Sequence, residues 1–314
     1  MNYNDFNDYA IKVTGGMNMP KVLILGGTTY DSIVRLDALP EPKPQTIHYA
    51  PFHETIGSTG AGKALPLTRL EVPVTLHSII GEDDYGRRIA ETLGAAGVDF
   101  VWDPDPAGTE RHINLMDKNG GRISMFITQS SSRLPLDLSR LEKLIQGSDV
   151  IVLNIIAYTK TLIEMCLQSG KPVWTDLHDY DGENPYHKEY IEAADYVFLS
   201  SDNLSDYKAV MSSLVAGGKR LVVCTHGKRG ATCLTGEGEW IEMPIIDEYK
   251  LEDANGAGDS FFAGFLYGFL QGRSPLECMR LAAVSAGLCV TSQELAYPGL
   301  GRELLEREAA RHFS

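Results

Sequence analysis

From Lys21 onward, short β-branched or apolar runs alternate with longer stretches whose apolar residues recur at helical spacing. This alternation restricts the chain to a parallel sheet flanked by helices. The strand-like runs are Val22 to Leu25, Val74 to Ile80, Val150 to Leu153, Val173 to Thr175, Tyr196 to Leu199 and Leu221 to Thr225. Helices are expected near Ala61 to Leu70 and Tyr85 to Ala96, the latter with Ile89 and Leu93 on one face. The fold class is α/β, a doubly wound, mostly parallel sheet. Two stretches break the rhythm and read as strands and turns, Ile33 to Ile56 and Phe100 to Thr128. In the second, Asn119-Gly120-Gly121 is a hairpin turn between Ile113 to Met116 and Ile123 to Ile127. Together they would form a small β-sheet lid, an excursion near residues 33–56 and 100–128 from one domain spanning 20–314. Residues 1–19 read as a flexible N-terminal extension.

The 314 residues are 43% apolar, enough for a substantial core, and carry a net charge of −14. That charge opposes binding to nucleic acid. Cys166, Cys224, Cys233, Cys278 and Cys289 are scattered, without a Cys-x-x-Cys pair, and read as reduced core residues. The opening residues lack a basic region followed by an apolar one, and no apolar span reaches about 18 residues. The expectation is a cytoplasmic protein with no membrane partner.

The stretch Asp253-Ala254-Asn255-Gly256-Ala257-Gly258-Asp259 runs directly into the apolar segment Ser260 to Leu270. Three small residues let the backbone turn tightly toward a ligand, and the amides opening the next helix point unpaired N–H groups at it. Phosphate is the expected guest. Phe261, Phe265 and Phe269, like Phe262, Leu266 and Leu270, recur every four residues, so a wide apolar face is buried. Asp259 remains in the first turn beside the anion site. The helix dipole favours its ionised form there, as a proton acceptor requires.

These residues resemble the second signature of the ribokinase-like, or phosphofructokinase B type, carbohydrate kinases, which reads Asp-Thr-x-Gly-Ala-Gly-Asp; here Ala254 stands for Thr. The resemblance extends from about Lys21 to the C-terminal helices. It implies a kinase transferring the γ-phosphoryl group of ATP to a sugar hydroxyl, with Gly256, Ala257 and Gly258 as the anion hole and Asp259 as the base. Asp31, six residues past the first strand, matches the family's substrate acid, whose two oxygens can accept bonds from adjacent hydroxyls. The segment from Gly57 through Gly60 to Gly62 matches the glycine-rich sugar loop. The run Thr225-His226-Gly227-Lys228-Arg229-Gly230 resembles the Thr-x-Gly-x-x-Gly nucleotide loop, so Thr225, Gly227 and Gly230, with Asn255, would meet ATP. Mg²⁺ is implied, held through water by Asp202 or Asn203 in the segment Ser200-Ser201-Asp202-Asn203, where the family has Asn-x-x-Glu. A monovalent ion, K⁺, is a further expectation at Asp253, and a homodimer through the lid is the expected assembly. Thr29 and Gly62 stand where the family presents asparagines, which predicts a roomier pocket with fewer hydrogen bonds to a plain furanose.

Other readings compete. Gly57-Ser58-Thr59-Gly60-Ala61-Gly62-Lys63 fits the phosphate loop Gly-x-x-x-x-Gly-Lys, but Ala64 has no hydroxyl to hold Mg²⁺. Asp176-Leu177-His178-Asp179-Tyr180-Asp181 has metal-ligand types but reads better as a polar strand end. Gly81-x-Asp83-x-x-Gly86 reads as a turn into a helix. The alternatives to a sugar kinase are a nucleoside kinase of the same fold and a non-catalytic small-molecule-binding protein on that scaffold.

Overall fold

The computed structural model describes residues 19–118 and 121–313; the expected N-terminal extension, save its last residue, and the Asn119-Gly120 part of the hairpin turn lie outside the described residues. In chain order the strands are β1 (Val22–Leu25), β2 (Thr29–Leu36), β3 (Phe52–Gly57), β4 (Val74–Ile80), β5 (Asp99–Pro104), β6 (Arg111–Asp117), β7 (Arg122–Thr128), β8 (Val150–Leu153), β9 (Val173–Asp176), β10 (Tyr196–Ser200), β11 (Leu221–Thr225), β12 (Ala231–Thr235) and β13 (Trp240–Met243). The helices are α1 (Thr59–Arg69), α2 (Asp84–Ala95), α3 (Leu138–Gln146), α4 (Ile163–Gln168), α5 (Lys188–Ala193), α6 (Tyr207–Ala216), α7 (Ala257–Leu270), α8 (Pro275–Cys289) and α9 (Arg302–Phe313).

One sheet has nine strands in the order β13-β12-β11-β10-β9-β8-β1-β4-β5. Pairing is parallel from β11 to β5, and the hairpin β12–β13 adds an antiparallel edge. The strand order reverses at β1, which pairs with β4 on one side and β8 on the other. Ligands of open α/β sheets bind beyond the carboxyl ends of the strands at such a reversal. Strand periodicity divides the core: Val22 and Ile24 join the layer of α1, α7 and α8, while Leu23 and Leu25 join that of α3 to α6. Helix α7 is buried without interruption from Ser260 to Leu270, so it lies between α8, α1 and the sheet instead of showing one polar face. Trp174 anchors this layer, stacked on Tyr196 with ring centroids 4.2 Å apart and met by Phe269 edge-on at 4.9 Å.

The second sheet has the order β3-β2-β6-β7. It differs from the sequence expectation at both ends. Residues 100–104 belong to the large sheet, where β5 pairs in parallel with β4. Strand β2 starts at Thr29, so Asp31 projects from a strand and not from a loop. The Asp83 motif is a helix start as read: the Asp83 carboxylate caps α2, accepting from the Gly86 N–H at 2.8 Å.

Candidate active site

Gly256 caps α7 with φ 75°, a left-handed conformation, and a side chain there would collide with the Leu295 carbonyl. Gly258 in the first turn has open space around it, and first-turn amides of a helix lack intrahelical acceptors. A positive backbone end therefore faces an accessible volume, with Asp259 beside it. Asp253, at the start of the loop, is buried and differently employed: its Oδ1 accepts from the Asn255 N–H at 2.8 Å, and its Oδ2 pairs with the Arg35 guanidinium at 2.7 Å. Each oxygen has one partner, and the cation supplied by β2 would compete with a monovalent ion at Asp253.

The passage from the end of β3 into the first turns of α1 is shaped to receive carboxylates. A Cβ on Gly57 would lie 2.2 Å from Asp31 Oδ2, and a Cβ on Gly62 would lie 2.2 Å from Asp259 Oδ2. Gly60 likewise lets the helix approach the Gly27 carbonyl that follows β1. The three glycines thus bring Asp31, Asp259 and the switch-point backbone against one helix end. The room expected at Gly62 is not vacant, because the Asp259 carboxylate fills it.

In the sequence Lys63 stands out only as the lysine of the Gly-x-x-x-x-Gly-Lys match. Its Nζ is fully buried, 2.5 Å from Asp259 Oδ1 and 3.0 Å from Asp176 Oδ2. Burial opposes its charge, but Asp176 and then Asp259 override that and hold its pKa above the ordinary lysine value. Burial pushes the Asp176 carboxyl up, and the charges of His178 and Lys63 bring it well below the usual range.

Asp31 anchors a second polar group on the small sheet. Its Oδ2 accepts from Asn114 Nδ2 at 3.2 Å, His112 stands 3.7 Å from Oδ1, and Oδ1 is buried with no hydrogen-bond partner. Burial raises its pKa, against the opposing pull of His112, Thr29 and Asn114. His112 in turn contacts Glu110 at 2.9 Å and packs on Phe126 with ring centroids 3.9 Å apart. A buried acceptor without a partner calls for one, which a water or a ligand hydroxyl would supply. His112 and Asn114 were missed because their role depends on strand pairing, in which Ser32 aligns with Ile113.

At the carboxyl ends of adjacent strands β9, β10 and β11, Ser200 pairs with Thr225 and Asp176 with Phe198. Asp202 is exposed and accepts from the Ser200 hydroxyl at 3.0 Å, while the Asn203 amide donates to the Asp179 carbonyl at 2.8 Å. The Ser201 N–H donates to the Thr225 carbonyl at 2.9 Å, so the 200–203 turn and the glycine loop 225–230 adjoin. Gly227 and Gly230 both have positive φ. Among the described residues no cluster of three His, Cys, Asp or Glu side chains could hold a metal by itself, so Mg²⁺ would have to arrive with phosphate oxygens as its main ligands.

Asp259 in the first turn of α7 and Asp31 on β2 lie near the strand-order reversal at β1, an arrangement compatible with a phosphotransferase acting on a hydroxyl group. The chain belongs to the pfkB family of carbohydrate kinases, whose sequence profile matches residues 19–300. It is 31% identical over 304 residues to an acarbose 7(IV)-phosphotransferase of an Actinoplanes species, covering 92% of this chain and 98% of that protein. It is 25% identical over 292 residues to a ribokinase of Arabidopsis thaliana, covering 86% and 76% of the two chains. Among solved structures, a microbiome-derived acarbose kinase superposes with a TM-score of 0.83 at 29% identity, covering 94% of this chain and all of that one. The fold is shared with Arabidopsis thaliana ribokinase bound to ribose and ATP, with a TM-score of 0.76 at 23% identity over 94% of this chain and all of that one. The protein is an ATP-dependent carbohydrate kinase.

Proposed function

We propose that Asp259 is the base, that the amides around Gly256, Ala257 and Gly258 hold the charge developing on the γ-phosphoryl group, and that Asp31 orients the acceptor by a hydroxyl pair. The observation that carries this reading is Asp259 in the first turn of α7, next to the open face of Gly258. Positioning and charge stabilisation are the main work of phosphoryl transfer. Thr225, Gly227, Gly230 and Asn255 would meet ATP, and Asp202 would reach Mg²⁺ through water, with Asn203 limited to its carbonyl oxygen. Mg²⁺ would neutralise phosphate charge.

Thr29 and Gly62 offer no amide to a plain furanose, so the substrate is a larger or modified sugar, and acarbose, named in two relatives, represents that class. Ile123, Met125, Phe126 and Ile127 are exposed on the edge strand β7, a surface suited to a second copy of the lid. The five cysteines are buried and unpaired, the state kept in a reducing cytoplasm. Among the described residues no helix is long and apolar enough to cross a membrane.

The test is ADP release by the purified protein with acarbose, maltotriose, ribose, fructose and inosine. Turnover of acarbose or maltotriose with ribose and fructose weak supports the reading. A kcat/KM for ribose or fructose at or above about 10⁴ M⁻¹s⁻¹ rejects the specificity claim. Inosine as the best substrate makes the protein a nucleoside kinase. ATP binding without turnover of any acceptor points to a non-catalytic role.

A further inference from the structure

Lys63 has no exposed surface, yet its ammonium is shared between carboxylates from two distant elements, Asp176 at the end of β9 and Asp259 in the first turn of α7. An ammonium has three donors to satisfy when buried, so two acceptors alone do not set this lysine apart; which acids the fold supplies does. Here the fold supplies two, and one of them is the residue assigned as the base. The Phe262 ring, 4.9 Å from Nζ, closes the apolar side, and His178, 3.7 Å from Asp176 Oδ2, is the other titratable neighbour. Asp259 Oδ1 is bound to the ammonium, while Oδ2 lies over the bare Cα of Gly62.

We propose that Lys63 is a positioning residue of phosphoryl transfer, holding Asp259 by one oxygen so that the other receives the acceptor proton, with Asp176 setting the charge of the group. This rests on the reading of Asp259 as the base. In the step itself the acceptor O–H bond breaks and its proton goes to Asp259 Oδ2. The oxygen's electron pair forms the bond to the γ-phosphorus, and the bond to the bridging oxygen breaks as ADP leaves. Lys63 and the two carboxylates by themselves carry one net negative charge, and the arriving proton neutralises it. Without Lys63, two carboxylates are left with no cation between them, and one of them takes a proton before the substrate arrives. Without Asp176, the group starts neutral and taking the proton leaves it positive.

The test compares Lys63→Met, Asp176→Asn and the double variant with the parent, using ATP and the best acceptor from the sugar panel, with melting temperatures measured for each. Lys63→Met is expected to lower kcat by at least ~10²-fold, the scale of a lost general base, with KM for ATP little changed. Its activity should require higher pH than the parent's. The double variant, with a single carboxylate left, is expected to recover about tenfold over Lys63→Met, and Asp176→Asn alone is expected to slow turnover. A Lys63→Met enzyme within about threefold of the parent kcat, or a folded double variant no faster than Lys63→Met, overturns the proposal. If Lys63→Met does not fold, Asp176→Asn decides, and a parental kcat in that variant overturns it. A parent inert toward the whole panel defeats the kinase reading and this proposal together, whereas an active parent with an equally active Lys63→Met defeats this proposal alone.

Discussion

Gly62→Ala is a single-methyl probe of how the base is seated. The new Cβ would lie 2.2 Å from Asp259 Oδ2 and 2.7 Å from its Cγ. Contacts of that kind relax to ordinary separation only if the carboxylate retreats by roughly 1 Å, because the helix backbone at residue 62 is buried and cannot yield. A misplacement of about 1 Å in a reacting group costs on the order of 10²-fold in rate, or about 2.7 kcal/mol in the barrier. Helix propensity acts in the opposite direction, favouring alanine over glycine by up to about 1 kcal/mol. Gly94→Ala in α2 separates the two effects, since a side chain there meets nothing within 4 Å. Steady-state kcat and thermal unfolding of both variants form the assay. Gly94→Ala is expected to melt slightly higher with parental kcat, and Gly62→Ala to lose about 10²-fold in kcat without global unfolding. A Gly62→Ala enzyme with parental kcat would refute the placement of Asp259 against α1.

Arg35 supplies the positive partner of Asp253, so the parent is expected to turn over equally in Na⁺ and K⁺. Arg35→Ala should slow turnover and become responsive to K⁺; a K⁺-dependent parent would show that the guanidinium does not occupy this role. His77 is fully buried against Tyr158 and Asp103, and burial lowers its pKa to about 4. An unfolded histidine titrates near 6.5, so between about pH 6.5 and 4 the unfolded chain binds a proton that the native state refuses. The stability from this group is therefore whole above pH 6.5 and declines as pH falls through that window. Urea unfolding at pH 7 and pH 5 should show the loss, with a smaller one in His77→Gln; equal losses in both proteins would assign the effect to other groups. Trp174→Ala, which removes the centre of the aromatic cluster beneath α7, should cost about 3–5 kcal/mol, and a loss under 1 kcal/mol in denaturant titration would contradict that packing.

The parallel strands were legible because strands buried on both faces read as continuous apolar runs; Val22–Leu25 and Val150–Leu153 appear with the expected bounds. The hairpin β12–β13 gave a weaker pattern, with exposed Trp240 and Glu242 alternating with buried Ile241 and Met243, and was not anticipated. Strand β5 was assigned to the lid because its sheet membership depends on parallel pairing with β4 across α2, which no local window contains. The same limit applies to the site. The glycine-rich segment before α7 marked Asp259 plainly, but Lys63 meets Asp176 and Asp259 across 113 and 196 residues of chain. The use of Gly62 was also hidden, since an absent side chain reads as free volume until the group that fills it is seen.

The mechanism depends most directly on Asp259 as the base, and one comparison tests it: kcat of Asp259→Asn against the parent, on the best acceptor of the panel, with the melting temperature as a check on folding. The amide keeps the shape of the side chain but cannot take the acceptor proton. A folded variant with kcat reduced by roughly 10²–10⁴-fold is the predicted result. A folded Asp259→Asn enzyme turning over at the parental rate would contradict the account.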